Sequence, residues 1–140
     1  MNNDEWKKMK IDHIGYLVKN MEKSIEEFQK LGYSIEVASL YDSDRDVTIC
    51  FMRNDAYRIE LVSPCSEKSV VYEQLKRVGN SPYHICYRVT DIDYTLREFR
   101  EKKYVIIKQP QAAIAFIGKK VAFIYHKNVG MVELVEDKYE

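Results

Sequence analysis

Hydrophobic side chains follow two rhythms along this chain, and the pair of rhythms comes round twice. Residues 13–18 and 84–89 are short runs rich in β-branched and aromatic residues, the pattern of a buried strand. Behind the first run, Met21, Ile25, Phe28 and Leu31 recur every three or four residues, which predicts a helix with one apolar stripe. Asn20 stands where an N-cap belongs and Gly32 where the helix must end. Behind the second run, Asp91 takes the cap position, and Ile92, Leu96 and Phe99 form the stripe. Three more strands are expected after each helix, at 34–37, 47–53 and 57–62 and then at 105–108, 120–125 and 131–135. Turns at 53–55 and 127–130 close two hairpins. A linker helix over 66–78, ended by the Gly-Asn-Ser-Pro stretch at 79–82, is expected between the halves.

The recurrence is a true repeat. A shift of 71 residues places His13 on His84, Ile14 on Ile85, Tyr16 on Tyr87 and Val18 on Val89. It also places Glu27 on Glu98, Phe28 on Phe99, Tyr33 on Tyr104 and Ile35 on Ile106. That makes 8 identities in 24 positions, and a shift of 73 then lays Glu60-Leu61-Val62 on Glu133-Leu134-Val135. The chain therefore reads as one α+β domain over 10–137, with module one at 10–64, a linker at 65–81 and module two at 82–137. The expected architecture is two βαβββ modules in tandem, forming a curved, partly open mixed sheet around a metal site.

Composition narrows the function without naming it. Of 140 residues, 46% are hydrophobic and 12% aromatic, as in an ordinary globular protein. Twenty-two Lys and Arg balance twenty-two Asp and Glu, so no excess positive charge attracts nucleic acid or an anionic membrane. No run of 18 apolar residues predicts a transmembrane helix. The opening stretch MNNDEWKKMK lacks the apolar segment of a secretion signal, and a cytoplasmic location is expected. The three cysteines are too widely spaced for a disulfide framework or a CxxC metal site. Cys50 and Cys86 read as buried small hydrophobes, and Cys65 as exposed.

Candidate chemistry rests on the few polar residues that are both repeated and set in apolar strands: His13 with His84, and Glu60 with Glu133. A carboxylate facing the interior is costly unless it is paired or bound to a cation. Two imidazole nitrogens and two carboxylate oxygens suit one divalent metal ion: Zn, Ni or Co, with Mn or Fe also compatible. Strands alternate faces, so any one of these residues taken singly reads equally well as solvent-facing. Duplication at matched positions is what favours ligation.

The stretches DHIGYLVKNMEKSIEEFQKLGY, YRIELVSPCSEKS, PYHICYRVTDI and GKKVAFIYHKNVGMVELVE resemble the vicinal oxygen chelate superfamily, which includes glyoxalase I, methylmalonyl-CoA epimerase and bleomycin-resistance proteins. The resemblance runs from about Ile11 to Glu136 and implies that His13, Glu60, His84 and Glu133 ligate the metal. It further implies Glu133 as the catalytic base, with Glu60 as its symmetry-related partner. A metal-dependent lyase of the glyoxalase I type is the first expectation, acting on a hemithioacetal of methylglyoxal and a thiol. An epimerase of methylmalonyl-type acyl-CoA is the second, and a non-catalytic small-molecule binding protein the third. Epimerases of this superfamily carry an acid before the third strand, where this chain has Asp44, and the glycine of that loop is replaced by Asp46. Their His-Gly segment after the second helix is also missing, with 111–116 in its place. A homodimer is expected from the resemblance. His126 is expected to be exposed, with a contact to substrate as the other reading, and Phe51 and Phe116 to be core, with the lining of an apolar pocket as theirs. Arg45, Arg53, Lys119 and Lys120 are candidates for meeting an anionic tail.

Overall fold

The computed structural model describes residues 9–138. Residues 1–8, on which most of the reading of the N-terminal stretch rests, lie outside them. Among the described residues, 13–83 form one compact unit, and 9–12 with 84–138 form the other. Each is α+β.

In the first unit, strand β1 (Lys10–Leu17, from His13 on) leads to helix α1 (Met21–Lys30) and then to strands β2 (Ser34–Asp42), β3 (Val47–Asn54) and β4 (Tyr57–Pro64). Helix α2 (Tyr72–Val78) follows. The strands lie in the order β2-β3-β4-β1, with β1 parallel to β4 and the other neighbours antiparallel. A parallel neighbour needs a crossover, and α1 with the β2–β3 hairpin provides it. Asn20 starts the helix by accepting the Lys23 N–H at 3.0 Å. Gly32 ends it at φ +99°, where a Cβ would come within 3.0 Å of the Asn54 side chain. Met21, Ile25 and Phe28 pack with Tyr16 and Tyr33 against buried Val18, Cys50, Met52, Ile59 and Leu61. Leu31, expected to complete the stripe, is the C-cap residue and stays 67% exposed.

The second unit repeats the plan. Strand β5 (Ser81–Val89, from His84 on) and helix α3 (Ile92–Glu101) precede strands β6 (Val105–Ala112), β7 (Lys120–His126) and β8 (Gly130–Glu136). The order is β5-β8-β7-β6, again with the first and last strands of the module parallel. Asp91 caps α3 by accepting the Tyr94 N–H at 3.0 Å. Ile92 and Leu96 of α3 pack on Ala122, Ile124, Val132 and Leu134. Burying each of these two helix side chains contributes about 1.5–3 kcal/mol.

Two expectations were too short and one too long. β2 and β6 continue well past 37 and 108, because bulges at 35/37 and 37/40, and at 106/108 and 108/111, interrupt the period of two that marks a strand. The bulges sit 71 residues apart, so the repeat extends to these irregularities. The linker helix begins only at Tyr72, since 66–71 form turns, with the Ser69 N–H on the Ser66 carbonyl at 3.1 Å. Among the described residues no helix is long and apolar enough to cross a membrane.

Candidate functional site

The parallel pairing within each unit brings one histidine to one glutamate. Gly15 lies opposite Glu60 across β1 and β4, and His13, two residues before Gly15, shares its face. The same holds in the second unit, where Cys86 lies opposite Glu133 and His84 precedes it by two. His13 Nε2 stands 3.2 Å from Glu60 Oε1, and His84 Nε2 stands 2.9 Å from Glu133 Oε1. All four side chains are at least 96% buried. The other face of these strands carries the apolar residues that meet the helices, so the amphipathic alternation of β1, β4, β5 and β8 sends the polar residues to one face. These buried histidines and glutamates are of the types that could bind a metal.

Each pair has an aromatic wall, of which the sequence reading named Phe51, with core as its default role, and passed over Phe123. Phe51 is the cross-strand neighbour of Glu60, and its ring meets the His13 imidazole edge-on at 5.4 Å. Phe123 is the neighbour of Glu133 and meets His84 in the same way at 5.7 Å. These two phenylalanines are 72 residues apart, so neither the 71 nor the 73 shift aligns them. The second hairpin turn, 127–129, is one residue longer than the first, 55–56, and the register moves by that residue. Scanning shifts strand by strand would have found the pair. The Arg58 guanidinium lies 4.0 Å over the Phe51 ring.

Asp44 belongs to neither pair and is exposed in the turn between β2 and β3. That turn is shaped by Asp42, whose buried carboxylate accepts the N–H groups of Asp44 at 3.0 Å and Arg45 at 3.3 Å. Asp46 adopts φ +56°, the left-handed conformation that glycine takes most easily and Asp tolerates. The substitution of glycine therefore leaves a glycine-like turn.

Several other candidates resolve into structural roles. Arg45, Arg53, Lys119 and Lys120 stand within ion-pair distance of Asp42, Glu36, Asp137 and Asp93 respectively, so each proposed anchor for an anionic tail already faces a carboxylate. His126 is half-buried, not exposed; its Nδ1 accepts the Asn128 N–H at 3.0 Å and its ring lies 4.8 Å from Tyr104. Phe116 packs beside buried Cys86, Val121 and Val135. Cys50 and Cys86 are buried and Cys65 is exposed, as expected. Burial pushes the Cys50 thiol up, against a hydrogen bond with Ser39, which leaves it a poor nucleophile.

A family model for the glyoxalase/bleomycin resistance protein/dioxygenase superfamily matches residues 12–123. The chain belongs to this superfamily. Among curated relatives, a mitochondrial methylmalonyl-CoA epimerase of Dictyostelium discoideum is 26% identical over 130 residues, covering 91% of this chain and 78% of the relative. An ethylmalonyl-CoA/methylmalonyl-CoA epimerase of Cereibacter sphaeroides is 27% identical over 129 residues, covering 89% and 96%. The crystal structure of methylmalonyl-CoA epimerase from Mycobacterium tuberculosis superposes with a TM-score of 0.80 at 24% identity, over 91% of this chain and 87% of that one. The last likeness shows the fold. These relatives are isomerases; the lyase chemistry ranked first from sequence finds no support among them, and the epimerase ranked second does.

Proposed function

We propose that this chain is a divalent-metal-dependent epimerase of methylmalonyl-type CoA thioesters. The observation that carries the proposal is the buried His–Glu pair, present once in each unit at 3.2 and 2.9 Å. Buried carboxylates and imidazoles in duplicate form a donor set that fits one Zn, Ni, Co, Mn or Fe ion, with His13, Glu60, His84 and Glu133 as its ligands. The ion, when bound, supplies Lewis acidity that stabilises negative charge developing on a substrate carbonyl oxygen.

Epimerisation removes a proton from one face of the α-carbon and returns one to the other, so it requires two acid–base groups. Glu133 takes the proton on one side, within reach of the substrate because it is itself a ligand. Asp44 serves the opposite side, carried on the turn that Asp42 and Asp46 hold in shape. Phe51 and Phe123 keep water from the imidazoles, which raises the worth of every charge interaction nearby. Cytoplasmic location and a homodimer belong to the same reading, and light scattering tests the second.

The test is hydrogen exchange at C2 of methylmalonyl-CoA in D₂O. Wild-type protein is expected to exchange and epimerise it. Glu133→Gln and Asp44→Asn should each abolish epimerisation, Glu133→Gln losing exchange in the epimer whose proton faces Glu133 and Asp44→Asn losing exchange in the other. A wild-type protein that exchanges nothing when loaded with each of the five metals would overturn the proposal.

A further inference from the structure

A cavity of about 500 Å³ lies within the first unit, beyond the ends of the parallel strands β1 and β4 and against α2. It is lined by Lys19, Lys76, Asn80 and Ser66, with Tyr72 and Leu75 among its apolar wall. Its lining includes no carboxylate among the described residues, in a chain whose acidic and basic residues are equal in number. The volume is that of a cofactor-sized ligand.

The site is built. Asn80 Oδ1 accepts the Lys19 N–H at 3.0 Å, and the Ser63 hydroxyl donates to the Lys19 carbonyl at 3.2 Å. Residues 61 and 44 positions away thus clamp the backbone of Lys19 from both sides. With Oδ1 occupied, the amide of Asn80 has its N–H groups to offer. Two ammonium groups and an amide beside a tyrosine ring and a leucine are chemistry for an organic phosphate ester with a ring to stack; the Ser66 hydroxyl at the rim is held by Asp46.

We propose that this cavity binds the phosphorylated nucleotide end of CoA. The inference rests on the acyl-CoA reading of the substrate. Pro64 lines the cavity and lies four residues beyond Glu60 on β4, on the same face, a separation of about 13 Å at the usual strand rise. A pantetheine arm spans that distance between a reacting thioester and its nucleotide.

The test is calorimetric titration of the metal-loaded protein with free CoA, pantetheine and inorganic phosphate. CoA is expected to bind, pantetheine to bind far more weakly, and Lys19→Gln or Lys76→Gln each to weaken CoA by about tenfold. Inorganic phosphate binding as tightly as CoA would overturn the nucleotide assignment. Cys65 lines the same cavity and is the one exposed cysteine among the three, so its labelling by a maleimide reads occupancy at that place. CoA should slow the labelling severalfold in wild type and not in the double lysine variant. Undiminished CoA affinity in both lysine variants, or unprotected Cys65, would refute the site. Failure of the epimerase reading is seen separately: a protein inactive in isotope exchange that still binds CoA through these lysines keeps the cavity and loses the reaction.

Discussion

Phe51→Leu should cost more stability than the loss of its ring contact with His13 alone accounts for. The ring meets this buried histidine edge-on, at 5.4 Å, and flanks the glutamate of the pair. Losing such an aromatic contact costs about 0.5–1.5 kcal/mol. Phe51 also lies beneath a guanidinium, Arg58 at 4.0 Å, whose side chain is only 17% exposed. A partly desolvated cation over a ring adds about 1 kcal/mol. The metal-free protein, unfolded in urea with EDTA, should therefore lose about 1.5–2.5 kcal/mol with Phe51→Leu. A double-mutant cycle with Arg58→Met should recover about 1 kcal/mol of that loss as a coupling energy to Phe51. A coupling energy near zero would show that the guanidinium contributes nothing to the first pair's wall.

Other expectations follow from particular residues. Burial pulls the Glu36 carboxyl upward, but hydrogen bonds and charge from Arg58 and Arg53 outweigh it, so its pKa is lowered overall. A lowered carboxylate contributes stability above its ordinary range and loses it as pH falls through the folded value. The gap between wild type and Glu36→Gln, under about 1 kcal/mol for so accessible a group, should close in acid, and a gap unchanged from pH 7 to 2 would contradict the assignment. Ile117 is 94% exposed and held at φ +56°, a strained conformation for a β-branched residue. Ile117→Gly should therefore raise stability by about 1 kcal/mol in chemical denaturation, and a loss would show that the side chain is held by contacts.

Much of this was legible because duplication turns weak local signals into strong ones. His13, Glu60, His84 and Glu133 are each unremarkable alone, and their recurrence in apolar strands is what singled them out. Both helix caps were readable too, since Asn20 and Asp91 act through short-range hydrogen bonds that depend on local sequence. Bulges hid the true lengths of β2 and β6, because an inserted residue reverses the inside–outside alternation on which a strand reading depends. The correspondence of Phe51 with Phe123 escaped because a one-residue difference in turn length changed the spacing between them. The environment of His126, half-buried beside Tyr104, depends on contacts made across the fold and left no mark in the hydrophobic pattern. The cavity at Lys19 and Asn80 joins segments sixty residues apart, which no periodicity reveals. Lyase and epimerase share one ligand set, so the choice between them came from relatives.

Metal stoichiometry tests the central claim most directly. The purified protein, stripped and reloaded with Co²⁺ or Zn²⁺ and analysed by elemental mass spectrometry, should hold one ion per chain. Glu60→Ala in the first unit and Glu133→Ala in the second should each empty it, as the proposal of one ion held by both pairs requires. Two ions per chain, with each substitution removing only one, would show that the pairs act independently and would contradict the account.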